Sequence, residues 1–291
     1  MVNLRTFVAR ESFDPVTARG SDPSFPKISV VVPTFNQASF LRRTILSILN
    51  QDYPNLELIV MDGGSADGST QILRAYDPYI AHWTSEKDRG QADAINKGMR
   101  VATGQILAYL NSDDVYLPTG PLHRVAEHIG SRQEALLVYG DGYVIDEQDR
   151  QVRLMPALPF RTLEYLHGVF SIPQQSAFWT RRAYEAAGGF NPSTRTCLDG
   201  EFFVQAALGG THFERVSGML GGFRIHSTSI TGSGRLDDTH AEDRSRLRKR
   251  VLGSSEQDAR FRALSALFRL KYAPYRAYRR AVAKLQIHGP S

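Results

Sequence analysis

A single cysteine, Cys197, is all that the 291 residues contain, so no internal disulfide can form and a reducing compartment suits the chain. No apolar run approaches the roughly 20 residues that a membrane-spanning helix needs. A charged-then-apolar leader is also missing, so the expected location is the cytoplasm. The first apolar run is not followed by G-x-G-x-x-G, which removes the usual cradle for a dinucleotide pyrophosphate. There is no internal repeat, and no linker before about residue 233. The hydrophobic content of 42% suits one sizeable core with appended segments.

Charge is unevenly spread. From Arg244 onward there are 13 Lys and Arg against two acids, Glu256 and Asp258. Of the 35 bases and 30 acids in the whole chain, residues 1–243 therefore hold 22 and 28. A mildly acidic body thus carries a strongly basic tail, and the basicity says little about the body's substrate.

Residues 1–26, with Pro15, Gly20, Pro23 and Pro26 and no period, read as a loosely ordered arm. Ile28–Val32 is a β-branched strand stopped by Pro33, and Leu41, Ile45, Ile48 and Leu49 follow at helical spacing. Leu56–Met61 is a second strand. Ser69 suits the N-cap of a helix carrying Ile72, Leu73 and Tyr76. A short strand near Ile80–Trp83 leads through a loop to a helix with Ala92, Ile95, Met99 and Ala102 on one face, closed by Gly104. Ile106–Leu110 is the fourth strand. Leu136–Val144 and Gln174–Trp179 read as later strands, with helices beginning near Arg181 and Leu198. The alternation predicts an α/β fold with a largely parallel central sheet. Right-handed crossovers would bring Pro33–Asn36, Asp62–Gly64, Ser85–Gln91 and Asn111–Asp114 to one edge.

The fourth strand runs directly into Asn111-Ser112-Asp113-Asp114. Two carboxylates at the carboxyl end of a buried strand stand where α/β sheets bind ligands. Their mutual repulsion calls for a positive partner, and a divalent cation carrying a diphosphate supplies one. The competing reading makes Asp113 or Asp114 the N-cap of the segment after Pro118.

Taken together, several segments resemble family-2 glycosyltransferases of GT-A fold. They include Val30-Val31-Val32-Pro33-Thr34-Phe35-Asn36, Val60-Met61-Asp62-Gly63-Gly64-Ser65, Ser85-Glu86-Lys87-Asp88-Arg89-Gly90 and Asp93-Ala94-Ile95-Asn96-Lys97-Gly98. Ala102-Thr103-Gly104, Leu110-Asn111-Ser112-Asp113-Asp114, Pro173–Phe178, Gly188-Gly189-Phe190-Asn191 and Phe223-Arg224-Ile225-His226 complete the order. The resemblance covers roughly residues 27–231. It implies an N-terminal arm over 1–26, a GT-A domain over 27–232 and a basic, mainly helical extension over 233–291.

The resemblance further implies a nucleotide-sugar pocket lined by Pro33, Thr34, Asn36 and Asp62, closed by Arg89 and Asp93. Asn111 replaces the first Asp of the family's D-x-D motif. Asp113 would hold Mg²⁺ or Mn²⁺, with Asp114 as helper or helix cap and His226 as a further ligand or a diphosphate contact. Asp199 would be the base that deprotonates the acceptor hydroxyl, with Glu201 pointing elsewhere. The implied activity is inverting transfer of a sugar to a glycan or lipid-linked acceptor, in surface-polysaccharide or glycolipid assembly. Gln174, Gln175 and Trp179 either border the acceptor or pack in the core. Absence of Gln-x-x-Arg-Trp separates the chain from processive synthases.

A different class of reading is an idle relative that binds nucleotide-sugar or glycan without transfer. A nucleotidyltransferase is a second alternative, but Pro33–Gln37 has no Gly-rich basic loop. In the tail, Phe261, Leu264, Leu267, Phe268, Tyr272 and Tyr275 recur at helical spacing among Arg and Lys. That pattern predicts either packing on the body or peripheral contact with an anionic membrane. No nucleic-acid module is present.

Overall fold

The computed structural model of the chain describes residues 22–229, 236–254, 256–275 and 277. Residues 1–21 of the expected arm, and Arg276, Arg279, Arg280 and Lys284 of the tail, lie outside the described residues.

The first half forms four parallel strands: β1 (Ile28–Thr34), β2 (Leu56–Asp62), β3 (His82–Ser85) and β4 (Ile106–Tyr109), in spatial order β3-β2-β1-β4. They are joined by α1 (Ala38–Leu49), α2 (Ser69–Tyr76) and α3 (Gln91–Val101). Strand side chains alternate faces, and both faces are buried. Val30, Val32, Leu58 and Val60 pack with Leu41, Ile45 and Ile48 of α1. Val31, Ile59 and Met61 face the other way, onto Ile95 and Met99 of α3. Each such buried side chain contributes about 1.5–3 kcal/mol.

The second half is mixed. It comprises β5 (Val115–Tyr116), α4 (Pro121–Ile129), β6 (Leu136–Ile145), β7 (Gln151–Met155), α5 (Thr162–Leu166) and β8 (Ala177–Thr180). Then follow α6 (Arg181–Ala187), α7 (Leu198–Leu208), β9 (His212–Arg224), α8 (Asp237–Leu252) and α9 (Ala259–Lys271). The sheet continues from β4 as β8-β6-β9-β5, with β7 beside β6. β8 runs antiparallel to β4 and β6, while the long β6–β9 pairing is parallel. The longest pairings are therefore parallel, and the fold is a curled GT-A-like sheet between helices.

Several boundaries differ from the sequence reading. β1 continues through Pro33, paired with Met61. Val31 faces β4, whose Leu110 N–H donates to its carbonyl at 2.9 Å, so Pro33 faces the same side. β4 has ended at Tyr109, and the proline's missing donor is not needed there. Ser69 is not the cap of α2; Gly68 is, and the Asp67 carboxylate accepts the Ser69 N–H at 3.1 Å and its hydroxyl at 2.6 Å. Gly104 does not close α3, which ends at Val101. It lets β4 approach β1, since a Cβ there would lie 2.5 Å from Ser29 Oγ. Gln174–Ser176 is a 3₁₀ turn rather than strand. The short third strand is His82–Ser85, displaced by a 3₁₀ turn at Asp77–Tyr79 that Pro78 starts. Neither Asp113 nor Asp114 caps α4, whose N-cap is Gly120.

The tail packs on the body. Leu247 of α8 joins Leu166 and Val204 in a small apolar cluster. Phe261 of α9 stacks on His167 at 4.2 Å, and Lys271 and Tyr272 reach Glu164 at 2.9 and 2.5 Å. Its outer face leaves Leu264, Leu267 and Leu270 exposed. Among the described residues no helix is long and apolar enough to cross a membrane.

Candidate active site

Of the four exits expected at one edge, those of β1, β3 and β4 line a cavity of about 600 Å³, and Asp62–Gly64 at the β2 exit does not. Pro33, Thr34 and Phe35 line it from β1, Gln91 and Ala94 from α3, and Asn111, Ser112 and Asp113 from the β4 exit. Gln174 and Gln175 contribute from the turn before β8, and Leu198 and Asp199 from α7. Thr34 Oγ1 and Gln174 Oε1 are buried without a hydrogen-bond partner among the described residues. Phe35 is 59% exposed, an apolar ring left standing at the mouth.

Of the sequence-expected residues, Pro33, Thr34, Asn111, Asp113 and Asp199 are on the wall. Asn36, Asp62, Arg89, Asp93, Asp114 and His226 stand behind or beside it. Asn36 stitches two loops, donating its N–H to Ser65 Oγ at 2.7 Å and accepting from Ala66 N–H at 2.9 Å. Asp62 is buried at the β2 exit, where it accepts from the Ser65 N–H at 3.0 Å, the Ser65 hydroxyl, and the Ser85 hydroxyl at 2.5 Å. Arg89 pairs with Asp93 at 3.0 Å, and that hydrogen bond holds the Asp93 carboxyl below the usual range. The Arg89 side chain points largely to solvent instead of closing the cavity.

The carboxylate pair divides sharply. Asp113 is half-buried on the wall, and His226 Nε2 lies 3.1 Å from its Oδ2. His226 Nδ1 is held by Thr228 Oγ1 at 2.8 Å, and its ring packs on Phe40 at 4.4 Å. A carboxylate oxygen beside an oriented imidazole nitrogen is a donor set that a divalent cation accepts, with room for phosphate oxygens. Among the described residues there is no cluster of three or more such groups.

Asp114 is fully buried instead. It accepts from the Arg224 N–H at 2.8 Å, Gln175 Nε2 at 2.7 Å and Asn111 Nδ2 at 3.2 Å. Burial first, and then the charge of Asp113, push its carboxyl well above the usual range. It ties β9 and the Gln175 turn to the β4 exit, leaving Asp113 as the open carboxylate. Arg224, also fully buried, donates from Nε to the Asp113 carbonyl at 2.6 Å and pairs with Asp149 at 2.5 Å.

Asp199 sits in the first turn of α7, whose N-cap is Cys197. Burial raises its pKa, with the Gly200 N–H and then His240 opposing. Glu201 points away, as expected: Asn191 and Thr194 donate to it, and Arg250 pairs with it at 2.7 Å. Of the two readings of Trp179 the structure has the packing one, since it is fully buried against Phe202 and does not line the cavity. Sequence reasoning missed Gln91, whose Nε2 donates to Asn111 Oδ1 at 2.5 Å, and the rim formed by Arg195, Leu236, Asp237 and His240. Gln91 opens α3 just after the Gly90 turn, a position that could have drawn attention. The rim residues gave no local signal.

Comparison with known proteins bears on the family and the fold. Residues 29–186 match the family described as glycosyl transferase family 2. An uncharacterized glycosyltransferase of Mycobacterium tuberculosis is 32% identical over 189 residues, 64% of this chain and 70% of the relative. A PGL/p-HBAD biosynthesis glycosyltransferase of Mycobacterium bovis is 30% identical over 183 residues, covering 62% and 69%. Among solved structures, S. aureus TarS in complex with UDP-GlcNAc superposes with a TM-score of 0.61 at 18% identity, over 85% of this chain and 71% of that one. A mannosyltransferase from Pyrobaculum calidifontis in complex with GDP-Man and Mn²⁺ gives 0.59 at 20% identity, over 94% and 78%. The matched family segment spans more than half of the chain and carries the β1, β2 and β4 exits, so the protein belongs to glycosyl transferase family 2.

Proposed function

We propose that this protein transfers a sugar from a nucleotide-diphosphate-sugar to a hydroxyl of a glycan or lipid-linked acceptor, with inversion. The observation that carries the reading is the Asp113–His226 pair, 3.1 Å apart at the edge of a cavity that Asp199 also lines. The nucleotide-sugar and Mn²⁺ complexes of the structural neighbours support it.

In this reading Pro33, Thr34 and Asn111 touch the nucleoside directly. Asn36, Asp62, Arg89 and Asp93 fix the loops around it, and Asp62 becomes a base-facing acceptor if Ser65 or Ser85 releases it. Asp113 and His226 would hold Mg²⁺ or Mn²⁺, with Asp114 positioning Asp113 from behind, and a cation held there would supply positive charge against the departing diphosphate. Asp199 accepts the acceptor's hydroxyl proton as the oxygen attacks the anomeric carbon. A C–O bond to the acceptor forms, the C–O bond to the diphosphate breaks, and the nucleoside diphosphate leaves with the electron pair. Attack opposite the leaving group inverts the centre. Burial raises the Asp199 pKa, and a raised carboxylate is the stronger base.

We also place a GT-A unit at 27–232 and an extension at 233–291 whose first helix rims the cavity. The exposed Leu264, Leu267 and Leu270 favour peripheral contact with an anionic bilayer at its cytoplasmic face. A thermal-shift screen of UDP, GDP and their sugars with Mn²⁺, Mg²⁺ or EDTA tests the donor reading. A metal-dependent rise with one base is expected; no shift with any nucleotide overturns it.

A further inference from the structure

Asp199 and His240 belong to the walls of two cavities. The second, of about 410 Å³, lies on the far side of Asp199 from the β1 and β4 exits, between the segment after α5 and the inner face of α8. A base between two cavities has the donor on one side and a place for the nucleophile on the other. The second cavity has a marked chemistry. Val169, Phe170 and Leu247 give it an apolar wall, and Arg244 and Arg248 project from successive turns of α8.

The two guanidinium groups converge. A Cβ placed on Gly168 would lie 2.9 Å from Arg244 Nη2 and 3.4 Å from Arg248 Nη2, so both ends point at one spot that a missing side chain leaves open. Arg248 is buried, its Nε held by the Leu166 carbonyl at 2.6 Å and one Nη by Glu256. Arg244 is half-buried, and among the described residues no acid pairs with it. Glu256 takes one arm of Arg248 and Asp199 stands on the same wall, which leaves Arg244 as the open fork, and burial followed by the Arg244 charge lowers Arg248 to about 10. Paired guanidinium forks match the oxygens of a phosphate.

We infer that this second cavity is an acceptor subsite that takes an amphiphile bearing an anionic, phosphate-type group, with the phosphate held between Arg244 and Arg248 and the apolar chain along Val169, Phe170 and Leu247. The inference rests on the reading of Asp199 as the base. It narrows the acceptor to a phosphate-linked lipid, and excludes a neutral glycan as the sole ligand of this cavity.

The test uses the full chain and calorimetric binding of octyl phosphate below its micelle concentration, beside octyl glucoside and inorganic phosphate. Octyl phosphate should bind at least about tenfold more tightly than either, since a charge-assisted hydrogen bond lost without replacement costs that much or more. Arg244→Gln should weaken it about tenfold, with Arg244→Lys intermediate, while binding of nucleotide with Mn²⁺ stays as in the wild type. Arg248 also supports the α5 carbonyl, and Gly168 has a φ of +70° at which a Cβ is strained, so Arg244→Ala is the second variant and should act like Arg244→Gln. Octyl phosphate binding that ignores Arg244→Gln, that nucleotide displaces competitively, or that inorganic phosphate matches overturns the inference. Nucleotide binding without octyl phosphate binding sinks the subsite and leaves the donor reading standing. Arg244-dependent octyl phosphate binding without nucleotide binding does the reverse.

Discussion

Asn111 Nδ2 donates to Asp114 Oδ2 at 3.2 Å, while its Oδ1 accepts from Gln91. The amide thus serves a buried carboxylate on one side and the start of α3 on the other. An ionised carboxylate in its place could accept from Gln91 but would have nothing to donate, and would add negative charge beside Asp113. Asn111 is therefore one of three donors to this buried acid, with the Arg224 N–H and Gln175 Nε2.

Asn111→Asp should accordingly destabilise the protein at neutral pH by about 1–3 kcal/mol, through a lost hydrogen bond and added like-charge repulsion. Urea unfolding would show the deficit. Saturating Mn²⁺ should narrow it if the added carboxylate shares the cation with Asp113. An Asp variant as stable as the wild type without metal would show that the amide is dispensable.

Asp199 carries a prediction about pH. Its folded pKa is raised, so the folded state holds this proton more tightly than the unfolded chain does. Stability from this group is then present at low pH and is lost as pH rises from the unfolded carboxyl value through the raised folded one. Asp199→Asn removes that loss. The variant should be more stable than the wild type at pH 7, with the advantage vanishing below the ordinary carboxylate range. Transfer should fall about 10²–10⁴-fold, the usual contribution of a positioned base, while nucleotide binding is retained. Parallel melts and single-turnover assays across pH read both halves.

Asp113→Ala and His226→Ala address the cation. Each removes one of the two groups proposed to hold it, so metal-dependent nucleotide binding should weaken roughly 10–100-fold in either variant. EDTA should bring the wild type to the same level. Asp114→Asn should act differently, since Asp114 holds Arg224 and Gln175 from a buried position. It should lower the melting temperature with less effect on metal dependence. Equal loss of metal dependence in all three would place Asp114 in the cation's coordination sphere.

What the sequence made legible followed from periodicity. Val30, Val31 and Val32 reported a strand, Ile106–Leu110 one that is buried, and the βα alternation located the exits that build the cavity. Asp113 stood out because it follows an apolar strand directly. Its difference from Asp114 did not, since one residue step along a chain turns an open ligand into a buried tie, and nothing local says which is which. Arg224 and His240 were harder still. Each reaches the site across more than 100 residues of fold or from a helix whose composition advertised only charge. Pro33 was misjudged because the cost of proline depends on which neighbour it faces, a fact that lies in the sheet and not in the residue.

The tail offers a last separable test. α9 uses Phe261, Ser265 and Tyr272 to hold the body, so its stability contribution lies on one face. Leu264, Leu267 and Leu270, at 43%, 61% and 73% exposure, lie on the other and cost the fold little if changed. Burying a leucine contributes about 1.5–3 kcal/mol, and each Lys or Arg near an anionic surface adds about 1 kcal/mol. The wild type should therefore float with phosphatidylserine-rich liposomes at low salt and detach as salt rises. A Leu264→Ser, Leu267→Ser, Leu270→Ser triple variant should stay with the soluble fraction while melting at the wild-type temperature. Flotation that survives all three substitutions would put the membrane contact on charge alone, and no flotation of the wild type would leave α9 as a packing element only.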